Sequence, residues 1–77
     1  MSLRIVDLEI NDIAIISSLS ASTIDMQRLI DMGLTVGSKI RLVNKTINDG
    51  PLEIKVRDYY IALRYNIASP ILVELVK

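Results

Sequence analysis

Apolar and polar residues alternate with a period of two along much of the chain, and the period turns helical in one stretch, residues 22–32. There Met26, Leu29 and Ile30 fall at i, i+3 and i+4, while Asp25, Gln27, Arg28 and Asp31 occupy the remaining surface. That spacing predicts an amphipathic helix of about three turns with its stripe against a core. Ser22 and Thr23 carry hydroxyls that can accept from first-turn N–H groups, and Asp25, three residues after Ser22, suits a relaxed capping box. Gly33 follows the last turn, where a left-handed backbone is needed, and Leu34 can fold back on the stripe. The run Q-R-L-I-D-M-G-L-T-V-G at 27–37 is therefore the hinge between a helix and an alternating strand.

The flanking segments read as strands. Residues 1–12 mix Leu3, Ile5, Val6, Leu8 and Ile10 with acids in no clean period, so a short strand or one helical turn fits. Asn11-Asp12 is a turn signal, and Ile13-Ala14-Ile15-Ile16 opens a buried strand over 13–18. After Gly37, Ile40 and Leu42 oppose Lys39, Arg41 and Val43, which predicts a strand over 38–46 with one wet face. Asn48-Asp49-Gly50-Pro51 marks a hairpin, with Asp-Gly expected to supply the positive φ. Leu52, Ile54 and Val56 then alternate with Glu53, Lys55 and Arg57. Asp58 is the next turn candidate, and Tyr59, Ile61, Leu63 and Tyr65 alternate with Tyr60, Ala62 and Arg64. After a break at 65–70, Ile71 to Val76 is a last apolar strand, expected to cover an exposed edge.

So many strands in 77 residues favour closure over a flat sheet, because closure removes edges and packs alternate side chains inward. The expected fold is mainly β: an SH3-like barrel of about five strands, with one short helix between the first and second strands plugging one end. Apolar residues make up 51%, with neither Trp nor Phe, so Ile, Leu, Val and Met must build the core. A chain this short buries only roughly 60% of its unfolded surface. It has no Cys, and neither a leader-like run nor a membrane-length apolar run, which points to a cytoplasmic protein.

Net charge is zero but unevenly spread. Residues 1–38 set Arg4 and Arg28 against five acids, a balance of −3, and residues 39–77 carry +3. Outward strand positions favour Lys and Arg for solubility, and the same pattern would suit an anionic partner.

The run R-L-I-D-M-G-L-T-V-G-S-K-I at 28–40, with P-L-E-I-K-V-R-D-Y-Y-I-A-L-R at 51–64 and I-L-V at 71–73, resembles the FeoA family of ferrous iron transport proteins. Arg28, Leu29, Asp31, Met32, Gly33, Leu34 and Gly37 match the first family motif. Pro51, Ile54, Val56, Ala62, Leu63 and Arg64 match the second. Val36 stands where the family usually has Pro, Asp58 where it often has a hairpin Gly, and Ile10-Asn11 where Pro-Gly is common. The family is also similar to the SH3-like domain of DtxR-type iron-dependent repressors, but DNA-reading helices are missing here. The resemblance implies one FeoA-like domain over 1–77, a cytosolic accessory of bacterial ferrous iron uptake whose partner is the cytosolic region of a FeoB-type transporter.

Without His or Cys the chain has no imidazole base, thiolate nucleophile or Ser-His pairing, so an enzyme is not expected. No cofactor is expected, and a tight iron site would lack its preferred ligands. Asp7, Glu9 and Asp12 offer at most a weak hard-ion cluster or a solvated acidic segment, and Met26 and Met32 read as core filler. Two functions remain. In the first, a protein-interaction module presents the loop Leu34, Thr35, Val36 and Gly37 and the basic residues Arg41, Lys55, Arg57 and Arg64 to its partner, with Leu34 either an exposed anchor or a cap contact. In the second, a small barrel binds nucleic acid, with Tyr60 as stacking platform and the same four cations on phosphates, or senses a divalent metal; neutral net charge and only one candidate exposed Tyr argue against nucleic acid, which is not the expected partner. Pairing between copies stays open.

Overall fold

The structure, a computed structural model, describes residues 2–19 and 23–76. In chain order it contains β1 (Ser2–Arg4), a 3₁₀ turn (Ile5–Asp7), β2 (Ile13–Ser18), α1 (Thr23–Asp31), β3 (Lys39–Lys45), β4 (Leu52–Val56), β5 (Tyr59–Leu63), α2 (Tyr65–Ala68) and β6 (Leu72–Leu75). The first segment takes both alternatives open to it, a strand and then a helical turn. The expected helix is α1, and the capping role read for Ser22 lies outside the described residues.

All strand pairs are antiparallel, in the order β1-β6-β2-β3-β4-β5. Strands β2 to β5 lie side by side in chain order, but the sheet has six strands rather than about five and does not close. Its edges are β1 and β5. Beyond each edge strand the chain turns into a short helix, and the 3₁₀ turn and α2 pack on one another where a closing ladder would run. Strand β6 is not an edge cover: it sits between β1 and β2, with Val73 opposite Leu3 on one side and Ile16 on the other.

Alternation decides what is buried. Ala14 and Ile16 of β2, Ile40 and Leu42 of β3, Leu52, Ile54 and Val56 of β4, and Ile61 and Leu63 of β5 line one core, joined by Ile5, Leu8, Ala68, Ile71 and Val73. The apolar run at 13–16 is not buried throughout, since only one face of β2 meets the core; Ile13 and Ile15 are exposed. Tyr59 shares the face of Ile61 and Leu63 but, at the start of β5, stays exposed. Helix α1 reaches the core through Leu29, while Ile30, expected on the buried stripe, is 45% exposed.

The helix ends as a Schellman cap: Leu34 N–H donates to the Leu29 carbonyl at 2.8 Å and Gly33 N–H to that of Ile30 at 2.9 Å. Gly33 has φ 88°, and Leu34 and Leu29 are both fully buried. Two other turns differ in detail from expectation. In the link from β3 to β4, Asn48 and Asp49 take the positive φ, not Gly50. Gly50 is needed for room, because a Cβ there would come within 2.6 Å of the Thr46 side chain. Between β4 and β5, Arg57 rather than Asp58 is left-handed, at φ 55°. In the expected turn at Asn11-Asp12, Asn11 is left-handed, at φ 75°.

Candidate functional site

Because Ala14, Ile40, Val56 and Ile54 point inward, their neighbours Ile13, Lys39, Arg41 and Lys55 point outward. The register then sets Ile13 opposite Arg41, Arg41 opposite Lys55, and Lys55 opposite Tyr60, one row across four strands. Lys39 lies in the next row, opposite Ile15, and Arg57 extends the basic side at the β4–β5 turn. Ile13, Lys39, Arg41, Lys55 and Arg57 line a cleft of about 490 Å³ together with Gly37 and Ser38.

The cleft is cationic. Lys39, Arg41, Lys55 and Arg57 make no ion pair with a carboxylate among the described residues. The Lys55 ammonium sits 5.8 Å from the centre of the Tyr60 ring, a cation–π distance. Arg41 Nε is buried and finds no hydrogen-bond partner among the described residues.

Beside the cleft, the 34–37 loop is held by hydrogen bonds to Ser38 and to β2. Thr35 N–H donates to Ser38 Oγ at 3.1 Å, Ser38 N–H to the Thr35 carbonyl at 3.0 Å, and Gly37 N–H to the Ile16 carbonyl at 2.8 Å. Val36 is 62% exposed at the tip and faces a second hollow with Ile15, Leu75 and Val76. Gly37 lines both hollows.

The structure thus brings together Thr35, Val36, Gly37, Arg41, Lys55 and Arg57, but neither of the other two residues expected with them. Leu34 is fully buried, so it is the cap's hydrophobic contact and not an exposed anchor. Arg64 lies past the far end of β5, in a hollow with Asp49, Pro51 and Tyr65. Lys39 and Ile13 were missed as members of the face. Lys39 shares the parity of Arg41 and was legible; Ile13 was hidden by the apolar run around it.

The acidic residues of the N-terminal segment do not converge. Hydrogen bonds from the Arg4 guanidinium, chiefly, and from its backbone N–H hold the Asp7 carboxyl below the usual carboxylate range. Asp12 instead accepts from the Glu9 N–H at 2.8 Å. Among the described residues, no group of three or more acidic side chains could hold a metal ion.

Comparison with known proteins gives this surface its context. The FeoA domain family model matches residues 3–75. A relative from Methanocaldococcus jannaschii, provisionally named Fe(2+) transport protein A, is 33% identical over 60 residues, covering 78% of this chain and 71% of the relative. Among solved structures, the FeoA protein of Chlorobium tepidum superposes with a TM-score of 0.89 at 25% identity, covering 97% of this chain and 71% of that one. The zinc-complexed FeoA of Stenotrophomonas maltophilia, described as an SH3 domain protein, does so with a TM-score of 0.74 at 28% identity, covering 96% and 89%. The six-stranded antiparallel sheet is therefore SH3-like though open, and the chain belongs to the FeoA family, with a role in ferrous iron transport.

Proposed function

We propose that this protein is a cytosolic accessory of ferrous iron uptake that acts by binding the cytosolic region of a FeoB-type transporter, without chemistry of its own. The observation that carries this reading is the continuity of one face. An exposed apolar tip, Val36, joins the cationic cleft through Gly37, and Ile15, Leu75 and Val76 extend the apolar side. An apolar centre flanked by charge is the usual anatomy of a protein-binding patch. No helix of the described residues is long and apolar enough to cross a membrane.

The test is NMR shift mapping of the labelled protein against the transporter's isolated cytosolic region, repeated at rising salt. Shifts clustered on Thr35–Gly37 and on Arg41, Lys55 and Arg57, weakening with salt, support the reading. Their absence at high concentration, with shifts produced instead by an oligonucleotide or a divalent cation, would replace it with the nucleic-acid or metal-sensing alternative.

A further inference from the structure

We infer that the outer cleft over β2, β3 and β4 is a binding site for a small ligand carrying a multiply charged phosphate group. This goes beyond the transporter reading and does not depend on it.

Folding by itself disfavours the arrangement at this cleft. Arg41 and Lys55 stand directly opposite one another on adjacent strands, where the Cβ atoms of facing residues are about 5 Å apart and like charges destabilise the pair. Lys39 and Arg57 add two more cations, and no carboxylate of the described residues pairs with any of the four. Arg57 also holds a left-handed φ at the first central position of a two-residue hairpin, a place where glycine is the comfortable residue. Arg41 Nε is buried without a partner, so its guanidinium keeps unused donor capacity. A bound anion would screen the facing cations, draw on Arg57, and give the outer nitrogens of the Arg41 guanidinium something to hold.

The shape favours a compact polyanion over a peptide. The three strands beneath the cleft are central in the sheet and have neighbours on both sides, so an extended peptide has no edge to add to. Recognition must come from side chains. Cations on facing strand positions can share one group with several oxygens, and a guanidinium grips phosphate through two parallel N–H donors. A single carboxylate would leave most of the positive charge unanswered. The volume, about 490 Å³, falls within the usual range for small-ligand pockets. Ile13 lines one side and gives an apolar wall for an organic portion.

The experiment titrates the labelled full chain with inorganic phosphate, inorganic pyrophosphate, adenosine diphosphate and a hexaglutamate peptide, each against sodium chloride at matched ionic strength. Saturable shifts at Ser38–Arg41 and Lys55–Arg57 are expected, with pyrophosphate tighter than phosphate. Arg41→Gln and Lys55→Ala should each weaken pyrophosphate by about tenfold, while Arg64→Ala leaves it unchanged; circular dichroism confirms that the variants fold. Adenosine diphosphate binding more tightly than pyrophosphate supports an organic phosphate packed on Ile13, and the reverse order supports a free phosphate species. Four results overturn the proposal: no saturable shift, shifts reproduced by sodium chloride, affinity unchanged in both cleft variants, or hexaglutamate binding more tightly than pyrophosphate.

Discussion

The hydroxyl of Tyr59, at the start of β5, donates a 2.6 Å hydrogen bond to the carbonyl oxygen of Met32, at the end of α1. It satisfies one of the carbonyls that a helix leaves unpaired at its C-terminus and ties the hinge to the far side of the sheet. The same hydroxyl lies over Gly33, where a Cβ would collide with it.

A double-mutant cycle reads both effects. Gly33→Ala should cost about 2 kcal/mol, combining the left-handed φ of 88° with the collision. Tyr59→Phe alone should cost about 1 kcal/mol for the lost hydrogen bond. With the hydroxyl gone, Gly33→Ala should cost only the backbone part, about 1 kcal/mol. Urea denaturation measures all three variants, and strictly additive costs would show that the hydroxyl and residue 33 do not meet.

Leu34 is a stability residue. Since it is fully buried against the core, Leu34→Ala should lose about 2–5 kcal/mol, and Leu34→Asp should leave the chain unfolded by circular dichroism. A folded Leu34→Asp protein would return this residue to the surface.

The elements that were legible in the sequence are those whose signal is local. The strands of 38–46 and 52–56 followed from strict alternation, and the cap at Gly33 from one glycine after one amphipathic stripe. The features that stayed hidden depend on partners distant in the chain. The position of β6 between β1 and β2 rests on pairings between residues 54 to 72 apart in the chain, and no local pattern encodes it. The open edge comes from two short helices that terminate β1 and β5. The cleft was half legible: parity grouped Arg41 with Lys39, and Lys55 with Arg57, but only the register set Arg41 opposite Lys55, and only the placement of α2 separated Arg64 from them.

Asp7 gives the fold a small acid sensitivity. Its carboxyl is held below the usual range by the Arg4 hydrogen bonds, so its contribution is complete above the unfolded value of about 3.9 and fades as pH falls through the lower folded value. Asp7→Asn should therefore melt below the parent protein at pH 7, and the gap should close toward pH 2. Both side chains are well exposed, so the effect is modest. Scanning calorimetry of the pair across that range decides it; a gap that persists at pH 2 assigns the loss to packing.

Arg57 tests whether the hairpin is built for stability. At φ 55° a side chain is strained where glycine is not, so Arg57→Gly should raise stability by up to about 1 kcal/mol in urea denaturation. A loss of stability would mean that the arginine side chain makes packing contacts worth more than its backbone strain.

Lys55 separates stability from binding most directly. Lys55→Glu turns the like-charge pair with Arg41 into an opposite-charge pair on facing strand positions, a change worth about 0.5–1 kcal/mol of stabilisation at low salt. It also forfeits the ammonium over the Tyr60 ring, about 0.5 kcal/mol at such an exposed site, so a net rise in melting temperature is expected and should shrink as salt is added. Pyrophosphate binding should fall at the same time, because one cation has become an anion that occupies Arg41. More stability with less binding is what a cleft shaped by a ligand requires. If Lys55→Glu is instead less stable at low salt, Arg41 and Lys55 do not repel in the folded protein, and the facing cations no longer argue for an anion between them.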